Sequence, residues 1–150
     1  MPPTLTGSAS IVRRVRSRSL AILLAGTLAA AGCGGGSSKH TPASDWHTAA
    51  VAMATADGTT ACSYFTASVS NELASSSGLS CADAVKELAK PLTASDRAGV
   101  EAVKVTAVAR SGANATVQYP VTPGLRKMQF TGRSRLVQSG GRWLIAPRSG

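Results

Sequence analysis

Apolar residues recur at helical spacing between residues 44 and 91, and this pattern predicts three successive helices. The first helix, over residues 44–58, begins at a cap formed by Ser44 or Asp45 and stops at a glycine. Its apolar face consists of Trp46, Ala49, Ala50 and Met53. We expect this face to pack against the rest of the domain.

The second and third predicted helices each carry one cysteine on an apolar face. The helix over residues 59–78 has a stripe at positions i, i+3, i+7 and i+11, namely Cys62, Phe65, Val69 and Leu73. The helix over residues 79–91 starts at Ser80 in a capping-box-like arrangement and ends before its proline. Its apolar face consists of Cys81, Ala84, Val85 and Leu88. A bridge between the two cysteines would therefore pin these helices together.

After Gly99 the spacing of apolar residues changes to two, which predicts the strands of an antiparallel meander. The predicted strands cover residues 100–110, 115–121, 125–138 and 142–146, with turns at 111–114 and 139–141. Gly132, inside the third strand, predicts a bend. Residues 93–98 fit either a short helix or a loop.

Helices followed by an antiparallel meander predict an α+β fold, in which N-terminal helices pack on one face of a curved antiparallel sheet. The residues expected in the core are Phe65, Val69, Leu73, Val105, Val117, Met128, Phe130 and Trp143.

The N-terminus has the layout of a secretory signal peptide. Residues 1–18 include Arg13, Arg14, Arg16 and Arg18 but no acidic residue, and residues 20–31 are uncharged. That uncharged run is too short to cross a hydrocarbon core of about 30 Å, which takes roughly 20 helical residues. A basic segment, a short apolar segment and small residues are typical of a cleaved leader. The arginine pair could indicate a twin-arginine signal, but the polar residues that follow it favour the general secretory route.

The sequence Ala30-Ala31-Gly32-Cys33 resembles the lipobox of bacterial lipoproteins, with Ala30 where the family most often has leucine. The resemblance implies cleavage before Cys33 and a diacylglycerol thioether, the lipid anchor, on its sulfur. It divides the chain into a signal peptide (1–32), a lipidated cysteine with a Gly/Ser tether (33–43) and a domain (44–150). The protein would then lie outside the cytoplasm, on the outer face of the bacterial cell membrane. The alternative is ordinary cleavage that leaves Cys33 free.

The three cysteines fit one lipid site and one disulfide. With Cys33 lipidated, Cys62 and Cys81 form an even pair in an oxidising compartment. Closing a loop of about 20 residues contributes on the order of 3 kcal/mol in the chain-entropy model. The alternative is a catalytic Cys62 or Cys81 activated by His47, which needs a sulfur without a partner.

Charge and composition exclude some partners. The formal net charge is +9, and removal of the four signal arginines leaves +5. A charge of that size keeps a small domain soluble and can attract anionic lipid or wall polymer. Lysines and arginines are scattered without interleaved aromatic residues, so nucleic-acid binding is not indicated. Lys127, Arg133, Arg135 and Arg142 could face an anionic partner or form a solvated sheet face. The two histidines do not supply converging metal ligands, and no metal or cofactor is predicted.

The chain from residue 44 to 146 resembles secreted lipoproteins of the nuclear transport factor 2-like superfamily. The resemblance rests on the Cys62 and Cys81 spacing and on the last hairpin, "GGRWLI", residues 140–145. It implies a cone-shaped α+β fold whose mouth lies between sheet and helices. Members include ketosteroid isomerase, polyketide cyclases and many non-catalytic binding domains, so the fold alone does not establish function.

A pocket of this kind is mostly apolar, and the candidate lining residues are Met53, Tyr64, Phe65, Tyr119, Met128, Phe130 and Trp143. The alternative is that these residues fill the core. We expect a binding or interaction domain that holds a small apolar ligand or docks a surface protein, with a homodimer through the sheet face also compatible. A second hypothesis is a lyase, isomerase or cyclase acting through Tyr119. That enzyme needs a carboxylate partner, and Asp96 and Glu101 are expected to be exposed; no catalytic residue is predicted.

Overall fold

The structure is a computed structural model that describes residues 40–148. Helix α1 (Pro42–Ala54) begins two residues earlier than predicted, because Thr41 and Ser44 form a capping box. Pro42 occupies the first turn, where its missing N–H costs nothing. The last two residues of the predicted tether therefore belong to the helix. The predicted apolar face is confirmed, since Trp46, Ala49, Ala50 and Met53 are all buried.

The prediction of a single helix over residues 59–78 is wrong. Two helices, α2 (Gly58–Ser63) and α3 (Ala67–Ser77), occupy this stretch. Between them Phe65 forms an isolated bridge with Ile145. The backbone N–H of Ile145 donates to the Tyr64 carbonyl at 2.7 Å, and the N–H of Thr66 donates to the Ile145 carbonyl at 2.9 Å. These tertiary hydrogen bonds replace helical ones at the break.

Two more helices precede the sheet. Helix α4 (Cys81–Ala89) starts after Ser80 and ends before Pro91, as predicted. Helix α5 (Ala94–Glu101) starts at a capping box formed by Thr93 and Asp96, so residues 94–98 are helical. The prediction of a strand from residue 100 is wrong at its start, because α5 continues through that position.

The sheet has four antiparallel strands in the order β1-β2-β3-β4. They are β1 (Ala107–Ser111), β2 (Asn114–Gln118), β3 (Arg133–Ser139) and β4 (Arg142–Ile145). The first half of the predicted third strand is wrong, because a short helix, α6 (Pro123–Lys127), occupies it. Thr122 caps this helix and Pro123 lies in its first turn. The predicted bend at Gly132 is confirmed by its φ of 88°.

The core lies where α1 packs against β2 and β4. Of the predicted core residues, Phe65, Val117, Met128 and Trp143 are buried, and the other four are half-buried at its edge. The α+β class with an antiparallel meander is therefore confirmed. The described residues, 40–148, belong to one compact unit with its own hydrophobic core. The predicted signal peptide and Cys33 lie outside the described residues.

Candidate functional site: a cleft between helices α3 and α4 and the end of the sheet

A cleft of about 610 Å³ opens between α3 and α4 on one side and β3 with the segment after β4 on the other. This volume is within the range of small-molecule sites, roughly 300–1,000 Å³. The apolar residues that line it are Met53, Phe65, Val69, Leu73, Ala84, Leu88, Met128, Phe130, Ile145, Ala146 and Pro147. The cleft therefore presents a broad apolar surface to whatever enters it.

The cleft exists because α3 does not bury its apolar stripe. No residue of α3 is buried, and Val69 and Leu73 are only half-buried. Phe65, one turn before Val69 in the sequence pattern, is buried where the chain crosses the end of β4. The apolar stripe is therefore buried in the core at Phe65 and partly exposed to the cleft at Val69 and Leu73.

Three buried side chains, Trp46, Ser134 and Tyr119, are linked by hydrogen bonds next to the cleft, and Ser134 also lines it. The Trp46 indole N–H donates to the Ser134 hydroxyl at 3.2 Å, and that hydroxyl is 2.8 Å from the Tyr119 hydroxyl. The Trp46 and Tyr119 rings stack with their centroids 4.0 Å apart. Burial raises the pKa of Tyr119, and the hydrogen bonds and the nearby Arg148 charge only partly offset this effect. Tyr119 is therefore a neutral phenol with a hydroxyl partner.

Arg148 stands at the mouth of the cleft and is exposed. Its Nη2 donates to the Gln129 carbonyl at 2.6 Å. Gln129 itself lines the cleft and has a φ of 64°, a left-handed conformation that is uncommon for a residue other than glycine. The turn between α6 and β3 therefore holds this carbonyl where it orients the guanidinium.

Other charged residues also border the cleft. Arg133 and Arg135 border it at the end of β3, where they alternate with the buried Ser134 and Leu136 and are exposed. On the helical side the carboxylates are Glu72 and Glu87, and Glu87 pairs with Lys90 at 2.6 Å. The ion pairs formed within residues 40–148 involve lysines and a histidine but no arginine.

The seven candidate lining residues divide into two groups. The residues that line the cleft are Met53, Phe65, Met128 and Phe130. The residues that do not are Tyr64, Tyr119 and Trp143, all of which are buried elsewhere in the core. Arg142 lies over the Tyr64 ring, and Arg110 lies over the Trp143 ring.

The two cysteines and the histidine that were weighed as catalytic candidates occupy structural positions. Cys62 and Cys81 form a disulfide that joins α2 to the start of α4, with their Cα atoms 6.3 Å apart. The His47 imidazole hydrogen-bonds to the Glu101 carbonyl at 2.9 Å. Within the described part of the chain, no three His, Cys, Asp or Glu side chains form a potential metal site. None of the described helices is long and apolar enough to cross a membrane.

The burial of two carboxylates, Asp96 and Asp45, was not expected from the sequence. Asp96 was expected to be exposed but is buried, because Lys127 donates to it at 2.7 Å and Thr93 donates to it through both its N–H and its hydroxyl. Asp45, considered only as a helix cap, is buried at 2% exposure and accepts a hydrogen bond from the Trp143 backbone N–H. Glu101 is exposed, as expected.

Sequence reasoning did not identify Ser134, Gln129 or Arg148 as parts of the site. The sequence pointed to the cleft through its apolar lining candidates Met53, Phe65, Met128 and Phe130, whereas Val69 and Leu73 were expected in the core. Comparisons with protein-family models, curated proteins and solved structures find no match.

Proposed function

We propose that this chain is a lipid-anchored extracytoplasmic binding domain of the nuclear transport factor 2-like type, whose cleft holds a small apolar ligand. The observation that carries the proposal is the apolar wall left open by α3, where Val69 and Leu73 face a cleft of about 610 Å³. Exposed apolar surface of this kind is costly in water, so a concave patch of it is typical of a binding site.

The anchoring part of the proposal rests on the sequence around Cys33 and on the disulfide. A disulfide is typical of compartments outside the reducing cytosol. A diacylglycerol group supplies two acyl chains, which is sufficient for stable membrane attachment. Metabolic labelling with an alkyne fatty acid tests this point: the chain takes up label, and Cys33→Ser abolishes uptake. Equal labelling of the variant would overturn the anchor.

No observation favours the enzymatic alternative. Tyr119 hydrogen-bonds to Ser134, and among the described residues no carboxylate or histidine hydrogen-bonds to its hydroxyl. The carboxylates lining the cleft, Glu72 and Glu87, lie on α3 and α4.

A neutral fluorescent probe tests ligand binding by the cleft. The sample is the chain from Gly34 onward, secreted behind a cleavable signal sequence, which contains all of the described part. Nile red should bind with increased emission, and Ser76→Trp, which fills the cleft from α3, should weaken binding about tenfold, equivalent to 1.4 kcal/mol.

The matched control is Ser75→Trp. Ser75 is the preceding residue of α3, is equally exposed and does not line the cleft. This variant should bind Nile red as the unmodified chain does. Equal binding by both tryptophan variants and the unmodified chain would overturn the cleft as the binding site.

A further inference from the structure

The cleft combines an apolar wall with an exposed arginine at one end. The residues deep in the cleft include Met53, Phe65 and Met128, all buried, whereas Arg148 at the mouth is exposed. A ligand that fits this distribution has an apolar tail and a polar head at one end. The tail lies against α3 and α4, and the head lies beside the segment after β4.

The head-group position belongs to Arg148 rather than to Arg133 or Arg135. Arg133 and Arg135 also border the cleft, but they alternate along β3 with the buried Ser134 and Leu136. The Arg135 Nη2 donates to the side-chain oxygen of Asn114 at 3.3 Å. By contrast, Arg148 lines the cleft and its Nη2 donates to the Gln129 carbonyl at 2.6 Å. This hydrogen bond orients the guanidinium at the edge of the cleft.

Within residues 40–148, no ion pair neutralises the charge of Arg148. Its hydrogen bond to the Gln129 carbonyl uses a single N–H. A guanidinium has five N–H donors, so several remain for a ligand. A planar guanidinium matches the two oxygens of a carboxylate, and one positive charge neutralises one negative charge. On the opposite wall, the charge of Glu87 is met by Lys90, and the second carboxylate, Glu72, is exposed to solvent.

We propose that the ligand of this cleft is a single-chain amphiphile with a carboxylate head, of the long-chain fatty acid class, and that Arg148 binds the carboxylate. The proposal rests on the proposed function, since it assumes that the cleft binds apolar ligands. It adds that the head group of the ligand is negatively charged and that it lies beside Arg148.

Three ligands with the same twelve-carbon tail test the proposal: laurate, 1-dodecanol and dodecylammonium. Each is titrated, below its aggregation concentration, against the chain from Gly34 onward by competition with Nile red. Laurate should bind about tenfold more tightly than dodecanol, because charge-assisted hydrogen bonds contribute at least that factor. Dodecylammonium should bind more weakly than dodecanol.

Arg148→Gln should weaken laurate binding about tenfold and leave dodecanol binding unchanged. The matched control is Arg126→Gln, which removes the same charge from an exposed position of α6 outside the cleft and should change neither. Equal loss of laurate and dodecanol binding in Arg148→Gln would overturn the proposal, because Arg148 would then only shape the wall.

The outcomes separate this proposal from the one on which it rests. Equal affinity for laurate and dodecanol, or preference for dodecylammonium, overturns the carboxylate head while the binding function stands. If Nile red and all three ligands fail to bind, both proposals fail.

Discussion

The carboxylate of Asp45 accepts a hydrogen bond at 2.8 Å from the backbone N–H of Trp143, a residue 98 positions later in the chain. Asp45 lies in the first turn of α1, and Trp143 is the second residue of β4. A carboxylate near a helix N-terminus is also favoured by the helix dipole. One buried side chain thus joins the start of the helical layer to the last strand.

Replacing Asp45 should destabilise the fold. Asp45→Ala leaves the Trp143 N–H buried without a partner, and we expect a loss of about 1–3 kcal/mol in the free energy of unfolding. Asp45→Asn should cost less, because its amide oxygen can accept the same hydrogen bond. Urea denaturation followed by tryptophan fluorescence measures both. An alanine variant as stable as the original would contradict this role.

The disulfide should be a major part of the stability. Cys62 and Cys81 are 19 positions apart, and opening a loop of this length should cost about 3 kcal/mol in the chain-entropy model. The double variant Cys62→Ala/Cys81→Ala and the reduced original should show similar losses in urea denaturation. A reduced chain with unchanged stability would show that the bridge does not constrain the unfolded state.

The ion pair between Lys127 and Asp96 should make stability depend on acid pH. The hydrogen bonds that Asp96 accepts from Lys127 and from Thr93 lower its pKa from 3.8 to about 2. A carboxyl group with a lowered folded-state pKa stabilises the fold above its unfolded-state pKa. That stability is fully present above about pH 4 and is lost as the pH falls toward 2.

Lys127→Met should reduce the loss of folding stability at acid pH. Asp57 and Asp83 also have lowered pKa values, owing to Thr60 and Lys86 respectively, so the original chain loses stability at several sites in acid. The difference between the original and Lys127→Met, measured by urea denaturation from pH 6 to pH 2, isolates the contribution of Asp96. The two curves should converge at low pH; a constant separation would contradict the assignment.

Two glycines should respond oppositely to alanine substitution. A Cβ on Gly124 would lie 2.6 Å from the Asp96 carbonyl oxygen and 2.9 Å from the Val100 Cγ2. Gly124→Ala should therefore force α6 away from α5 and cost about 1–3 kcal/mol.

Gly99 is the matched control, because it lies inside α5 and a Cβ there would be 3.8 Å from its nearest neighbour. Gly99→Ala should gain about 0.5–1 kcal/mol through lower entropy of the unfolded chain. Thermal melting of the two variants tests the pair. Equal shifts of the melting temperature in the same direction would contradict the packing of α6 on α5.

The sequence predicted correctly those helices and strands whose apolar spacing matches the face that is buried in the structure. The face of α1 that carries Trp46 and Met53 is buried as its periodicity indicated, and the last hairpin with Trp143 forms as predicted. The helix break at Phe65 was not predicted, because Phe65 fits the apolar stripe whether or not the helix continues. The reason for the break, the hydrogen bonds to Ile145, comes from the other end of the chain.

The site was less predictable than the fold. Helix α6 was mistaken for a strand, because Met128 and Phe130 alternate with polar residues, although Thr122 and Pro123 together form a helix-start signal. The mouth of the cleft depends on the contact between Arg148 and Gln129, which are 19 positions apart and have no shared pattern. Such a contact follows only from the register of β3 and β4.

Amide chemical-shift mapping during a laurate titration tests ligand binding in the cleft most directly. The sample is the isotopically labelled chain from Gly34 onward, at laurate concentrations below aggregation. We predict shifts that saturate and are concentrated at residues lining the cleft, from Val69 and Leu73 on α3 to Gln129 and Arg148 at its mouth. Shifts confined to the outer face of the sheet, at Thr116 and Gln118, or no saturable shifts at all, would contradict it.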